Sequence, residues 1–508
     1  MELTHDTRLL LAVLAPLVGA GLVMANGKRP NVREACSLFS AVALFAVVVS
    51  LIPDVLAGKQ LRFTLFELWP SLSPSLHGLS FSLRADALSM VFAVSASFLW
   101  VVTVFYSAGY MRGLHEHEQT RFNACFALAL FGAIGCAFSD NLLTLYLFYE
   151  IVSICTYPLV AHHQDKESYE GARKYLTYLT STAKGLILPA MVLIYVLSGT
   201  LDFSLGINKG ILPPNAHRWV VTGLYACCIL GFAKNGVMPF HSWLPSAMVA
   251  PTPVSALLHA VAVVKVGVFS TVRVMLYVFG LDMMKDFNLG IPTALFVSIT
   301  IVIGSIVALS KDNLKARLAY STVSQLSYII LGVALLEPAG VQGGLIHIAN
   351  HAFSKITLFF CAGAIYVVTH KKNISEMSGL GRMMPFTFGA FALASLSMIG
   401  APPVAGFVTK WYLLNGAWDA HSAYSMTIIF VLLASTLLNA AYFVPIVYQG
   451  FFGKPSDSDL KHKFTEAHPS MVVPLSITAV ISVLIGLYPA FFMRFVQALF
   501  PAINHVIS

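Results

Sequence analysis

Charge is scarce in this sequence. Lysine, arginine, aspartate and glutamate make up 11% of its 508 residues, against about 25% in a soluble domain. Too little polar surface is available to keep a folded body dispersed in water, so a soluble protein is excluded. Cysteine is also sparse. Cys36, Cys125, Cys136, Cys155, Cys227, Cys228 and Cys361 form no C-x-x-C pair, and most sit in apolar runs. They read as small buried hydrophobes, not as disulfides or cluster ligands. No glycine fingerprint follows a strand pattern, which removes nicotinamide and flavin binding. No cofactor and no metal are therefore expected. The first apolar run follows a charged start without a clear small-residue cleavage site, so no signal peptide is expected either.

What is abundant is hydrophobic sequence, 57% of the chain. Runs of about 20 apolar residues, enough to cross a hydrocarbon core of about 30 Å, recur from end to end. Fourteen spans are read, at 8–26, 35–56, 85–110, 122–138, 141–161, 175–198, 219–240, 250–279, 291–310, 318–336, 341–369, 386–417, 424–450 and 470–497. The expected fold is an all-α polytopic membrane protein forming a single membrane domain. Residues 1–121 supply three peripheral spans, 122–279 spans 4–8, 280–450 spans 9–13, and 451–508 a loop and span 14.

The net charge of +8 does not point to nucleic acid, because the basic residues lie mainly in short loops. Seventeen of them, Lys461 and Lys463 included, fall on one side of the spans, and nine on the other, Arg62, Arg84 and Arg273 among these. The positive-inside rule then puts both termini on the outer side of the cell (inner) membrane.

Five lysines fit no loop: Lys184, Lys234, Lys265, Lys355 and Lys410. A lysine at mid-bilayer costs at least about 2.5–3.5 kcal/mol. Snorkelling accounts for a lysine near a span end. Lys184, about ten residues into its span, and Lys265 and Lys355, about fifteen into theirs, are too deep for it. Glu150 lies midway along LLTLYLFYEIVSICTYPL, with Lys184 and Lys234 on neighbouring spans as its partners. A buried ion pair whose members move apart by a few ångströms changes how tightly each holds its proton, which is the basis of a switchable site. His347, His351 and Lys355 are spaced i, i+4, i+8 and form one polar stripe on an otherwise apolar helix. A packed face with histidines bonded to serines is the plain alternative. A metal site is weaker, since no third ligand is evident. Neutral imidazoles relaying protons between ammonium groups fit better. His259 precedes Lys265 by six residues, about 120° away round the helix, so a third group or a water must join them. Ser321, Ser324, Gln325 and Tyr328 either line this path or pack between helices.

Two spans are broken. FAKNGVMPFHSWLP sets Lys234 beside Asn235, Gly236 and Pro239, and IGAPPVAGFVTKWYLL sets Pro402, Pro403 and Gly406 before Lys410. Proline frees backbone carbonyls, which a membrane tolerates only where protein or water satisfies them. Broken spans at matching places in two halves point to an ion path. Span 12 follows span 7 by five, an odd number, so spans 4–8 and 9–13 are expected to be inverted five-helix repeats.

With these residues in view, the chain resembles the antiporter-like subunits shared by respiratory complex I, Mrp-type sodium/proton antiporters and group 4 membrane-bound hydrogenases. The resemblance runs over about residues 85–450. It rests on LYLFYEIVSICTYPL with Glu150, KNGVMPFHSWLPSAMVAPTPVSALLHAVAVVKVG with Lys234, His259 and Lys265, HAFSKITLFF with His351 and Lys355, and GAPPVAGFVTKW with Lys410. It implies fourteen helices with broken helices 7 and 12, a coupling pair at Glu150 and Lys234, a central relay at Lys265, His351 and Lys355, and an outer exit at Lys410. A D-type Mrp subunit, or its hydrogenase or dehydrogenase counterpart, is the best fit. Serine in SWLPSAMVAPTP departs from the aspartate common in this family. The expected function is a proton-translocating subunit without redox chemistry of its own. Its expected partners are other integral membrane subunits and protons, with sodium an open option as counter-ion. A self-sufficient ion-coupled transporter of a small solute, and a purely structural membrane subunit, are the alternatives.

Overall fold

The computed structural model describes residues 3–71, 77–455 and 465–500, so Lys461 and Lys463 lie outside the described residues. Helices dominate. Among the described residues, eleven are long and apolar enough to cross a membrane, and two shorter apolar helices, Arg218–Gly231 and Pro385–Ile399, stop at the breaks seen in the sequence. A further helix, Leu314–Ala334, is 21 residues long. Each of the fourteen apolar stretches thus coincides with a helix or an interrupted pair of helices, and the chain is a multi-pass membrane protein.

Local sequence fixes several helix starts. Asp86, Asn141, Asp165 and Asn313 each stand at an N-cap and accept a backbone N–H from three residues on. The bundle is layered by burial. The apolar 18-residue stretches of Ala87–Gly113, Pro338–Thr369 and Thr252–Asp286 are 83%, 78% and 100% buried, against 39% and 33% for those of Arg8–Ala25 and Pro30–Leu56. The outer helices turn Leu11, Val18 and Phe39 outward, as a lipid-facing surface requires. The Pro338–Thr369 helix is the hub, packed by Leu314–Ala334, Ala405–Asp419, Pro385–Ile399, Pro469–Leu487 and Ala87–Gly113.

One feature departs from an all-helical chain. A small sheet of order β1-β2-β3 is formed by β1 (Leu3–His5), β2 (Gln60–Trp69) and β3 (Leu79–Ala85). β1 pairs in parallel with β2, and β2 is antiparallel to β3 with Leu61 opposite Ala85. It closes the end of the bundle at which Ala87–Gly113 begins. Arg84 and Arg273, counted as loop charges in the sequence, are buried there instead. Arg273 pairs with Asp86, and Arg84 reaches Asp86 at 3.7 Å and Asp140 at 3.3 Å. Arg62 continues the chain of ion pairs to Asp140 at 2.6 Å and Asp202 at 3.2 Å.

Candidate proton-relay site

The first broken span positions Lys234. Its helix ends at Gly231, and a single 3₁₀ turn, Ala233–Asn235, follows. Side chains satisfy the carbonyls released by the break. Asn235 Nδ2 donates to Ile229 O (2.9 Å) and Thr271 Oγ1 (3.2 Å), and Trp243 Nε1 donates to Ala233 O (3.0 Å). Lys234 is fully buried. Its Nζ donates to Tyr149 O at 2.8 Å and Ser153 Oγ at 2.7 Å, and lies 3.1 Å from the centre of the Tyr149 ring. Gly267 makes the seat possible, because a Cβ there would fall 2.2 Å from Asn235 N and 2.6 Å from Lys234 Cβ. Glu150, next along from Tyr149, is half-buried, and its Oε1 has no hydrogen-bond partner. The cations acting on it are Lys234 and then Lys184.

Lys184 is not buried. It stands exposed in a π-helical turn, Ala183–Ile187, between Lys166–Thr182 and Leu188–Ser198, and the same face turns Val192 and Val196 outward. It continues the exposed stripe of Lys166, Glu170, Arg173, Thr177 and Ser181 along the amphipathic Lys166–Thr182 helix, a face that depth along the span alone does not reveal.

A second cluster gathers at the hub helix. Lys265, Lys355, His351 and His347 are between 0% and 2% exposed. The His347 and His351 rings are 5.6 Å apart, and both rings feel the charges of Lys265 and Lys355. Lys355 Nζ donates to Ser321 Oγ at 2.8 Å, and the same hydroxyl accepts from Tyr442 at 3.0 Å. His347 Nδ1 meets Thr409 Oγ1 at 3.1 Å. Among the described residues, Lys265 Nζ, His347 Nε2 and both ring nitrogens of His351 have no hydrogen-bond partner. Of the four residues left open in the sequence, Ser321 holds Lys355, and Tyr328 lies between His347 and Lys410, 5.7 Å and 5.8 Å from them. Ser324 instead bonds Ser305 in helix packing, and Gln325 Nε2 is buried without a partner. His259 sits in the π-helical stretch Ser255–Ala262, and its side chain lies outside those described.

Lys410 sits at the second break. The Pro385–Ile399 helix ends there with Gly400 at φ +85°, and Lys410 Nζ donates to Ile399 O (2.5 Å), Met398 O (3.4 Å) and Thr436 Oγ1 (2.9 Å). An ammonium on the last carbonyls of a helix is favoured by the helix dipole. The structure sets these side chains in two groups. Glu150 and Lys234 form the first, and Lys265, His347, His351, Lys355 and Lys410 the second.

Residues 139–453 match the family described as "NADH:quinone oxidoreductase/Mrp antiporter, TM", and residues 71–123 match the N-terminus of chain 5 of NADH-ubiquinone oxidoreductase (complex I). Subunit N of the NADH-quinone oxidoreductase of Desulforudis audaxviator is 30% identical over 494 residues, spanning 94% of this chain and 95% of that protein. The chain belongs to this family. Subunit L of the same oxidoreductase from Mycobacterium tuberculosis is 31% identical over 493 residues, 95% of this chain and 75% of that protein. In overall shape, a chain of the Mrp complex from Dietzia sp. DQ12-45-1b is similar, with a TM-score of 0.83, 20% identity, and 97% and 96% of the two chains covered. The resemblance read from the sequence segments holds at the level of the family: this is an antiporter-like membrane subunit. The breaks at Lys234 and Lys410 both lie in the stretch matched by the first family description.

One cluster escaped the sequence reading. The loops ending Ala87–Gly113 and Leu142–Val160 bring together Glu116, His117 and His162. The runs His115-Glu116-His117-Glu118 and His162-His163 carried the signal.

Proposed function

We propose that this chain translocates protons as one subunit of a larger membrane complex. Glu150 and Lys234 act as the coupling pair, Lys265, His347, His351 and Lys355 as the central relay, and Lys410 as the exit gate. One observation carries the reading. Three lysines and two histidines converge inside the bundle, and among the described residues no carboxylate is paired with any of them. Groups so close in a low-dielectric interior interact strongly, so a proton gained at one changes how the others hold theirs, as a relay needs. Moving one proton against 100 mV takes about 2.3 kcal/mol, comparable with one or two units of pKa modulation. Lys184 acts on Glu150 from the surface, where an adjoining membrane subunit would cover it.

The chain fits a D-type Mrp subunit or its hydrogenase or dehydrogenase counterpart, in the cell membrane with both termini outside. Burial removes Arg84 and Arg273 from the outer count and Arg33 from the inner one, leaving seven against sixteen, which supports that orientation. Spans 4–8 and 9–13 act as inverted halves. In support, each half has a break whose lysine ammonium bonds main-chain carbonyls. The test is proton uptake in inverted vesicles holding the intact complex. Lys234→Ala and Glu150→Gln are each expected to lower uptake more than tenfold, with the complex assembled at wild-type amounts. Undiminished uptake in both variants would refute the relay.

A further inference from the structure

At the end of the bundle opposite the sheet, two loops meet. Glu116 is held by its N–H to Met111 O (2.9 Å) and by Gln119 Nε2 on its carbonyl (3.0 Å), while Arg121 Nη2 pins His162 O at 3.1 Å. One donor atom from each of Glu116, His117 and His162 lies within 4.8 Å of the other two. We infer that Glu116, His117 and His162 form a binding site for a divalent transition-metal ion of the zinc class.

Geometry supports the assignment. Donors at about 2.0–2.2 Å from a tetrahedral ion stand about 3.3–3.6 Å apart. His162 Nε2 and Glu116 Oε2 are 3.6 Å apart, at that spacing and beyond a hydrogen bond. His162 is fully buried, yet neither of its ring nitrogens has a hydrogen-bond partner. Its ring is stacked on His117 at 4.9 Å and meets the edge of Phe122 at 5.6 Å, which fixes its direction. A buried, oriented imidazole with no hydrogen bond among the described residues has coordination capacity to spare. His163 Nδ1, 3.5 Å from Glu116 Oε2, can supply a fourth donor.

Two or three imidazoles with one carboxylate suit zinc, cobalt or nickel and disfavour calcium and magnesium, which prefer oxygen. Glu116 and His163 also line a cavity of about 370 Å³ at this end, so the site opens to bulk solution.

The probe is Co²⁺, titrated into the intact purified complex after chelator treatment, with an affinity tag free of histidine. One saturable set of visible d–d bands per chain is expected, and Zn²⁺ should displace it. His162→Ala and Glu116→Gln should abolish the bands. His117 is exposed, so His117→Ala keeps the fold and should weaken binding at least tenfold, while His468→Ala leaves it unchanged. Bands of equal strength and affinity in His117→Ala, or no saturable bands in the wild type, would overturn the assignment.

Discussion

Gly267→Ala tests the relay without touching an ionisable group. The new Cβ would lie 2.2 Å from both Asn235 N and Lys234 C, main-chain atoms that cannot swing aside. Reaching an ordinary 3.4 Å contact takes a displacement of 1.2 Å, the difference of those two distances. Carried to the Lys234 ammonium, that shift stretches the 2.7 Å and 2.8 Å bonds to Ser153 and Tyr149 to about 3.9–4.0 Å, past hydrogen bonding. Overpacking of this sort costs about 1–3 kcal/mol of stability, which a large bundle survives. Misplacement of a reacting group by about 1 Å can cost about 100-fold in rate. Proton uptake in inverted vesicles, normalised to complex content on native gels, should therefore fall by ten- to a hundredfold while assembly persists. Gly223→Ala, where a Cβ meets nothing within 4 Å, should behave as wild type. If Gly267→Ala transports within twofold of wild type, the position of Lys234 does not matter to transport and the reasoning fails.

Three further outcomes are expected. Gly400→Ala sets a Cβ 2.5 Å from Lys410 Cδ at a φ of +85°, so uptake should fall several-fold, with a loss of about 1–3 kcal/mol in thermal unfolding. Asp86→Asn leaves Arg273 and Arg84 buried with their shared carboxylate gone, and should cost about 3–5 kcal/mol, read as a lowered unfolding temperature. Lys184→Ala, at an exposed position, should reduce uptake only a few-fold, much less than Lys234→Ala. Equal losses in the two lysine variants would contradict their different placement.

The sequence disclosed what composition and local breaks encode. A run of 20 apolar residues has one outcome in a bilayer, so the spans were legible. Lys234 and Lys410 stood out because glycine and proline beside them forced the helix to stop, and the ammonium of each settles on main-chain carbonyls. The His347, His351 and Lys355 stripe was legible because a spacing of four keeps side chains on one face. Facing direction was overlooked. Lys184 continues an exposed stripe of Lys166, Glu170, Arg173, Thr177 and Ser181, so the amphipathic first half of its span encodes which side looks outward, and depth along the span does not. The partner of Arg273 was hidden as well, since Asp86 is 187 residues away in the chain. The alternation in QLRFTLFELW and LSFSLRA was a strand signal at period two, masked by the surrounding hydrophobic runs.

That difference explains why the relay appears as two groups and not one row. Spacing along a helix places residues on a common face, but only packing decides whether two faces meet. The charge acting on Lys234 is that of Glu150, and the charge acting on Lys265 is that of Lys355, although both lysines flank the same close contact at Gly267. A proton leaving Lys234 for Lys265 must therefore cross the junction between the 3₁₀ turn and the Val263–Val274 helix. Asn235 and Thr271 already tie those two elements together at 3.2 Å. Thr271→Val removes that tie without changing charge. Loosening the junction should slow transfer between the groups while leaving Glu150–Lys234 intact, so uptake should drop several-fold with unchanged assembly. A variant with full uptake would mean the two groups exchange protons by another route.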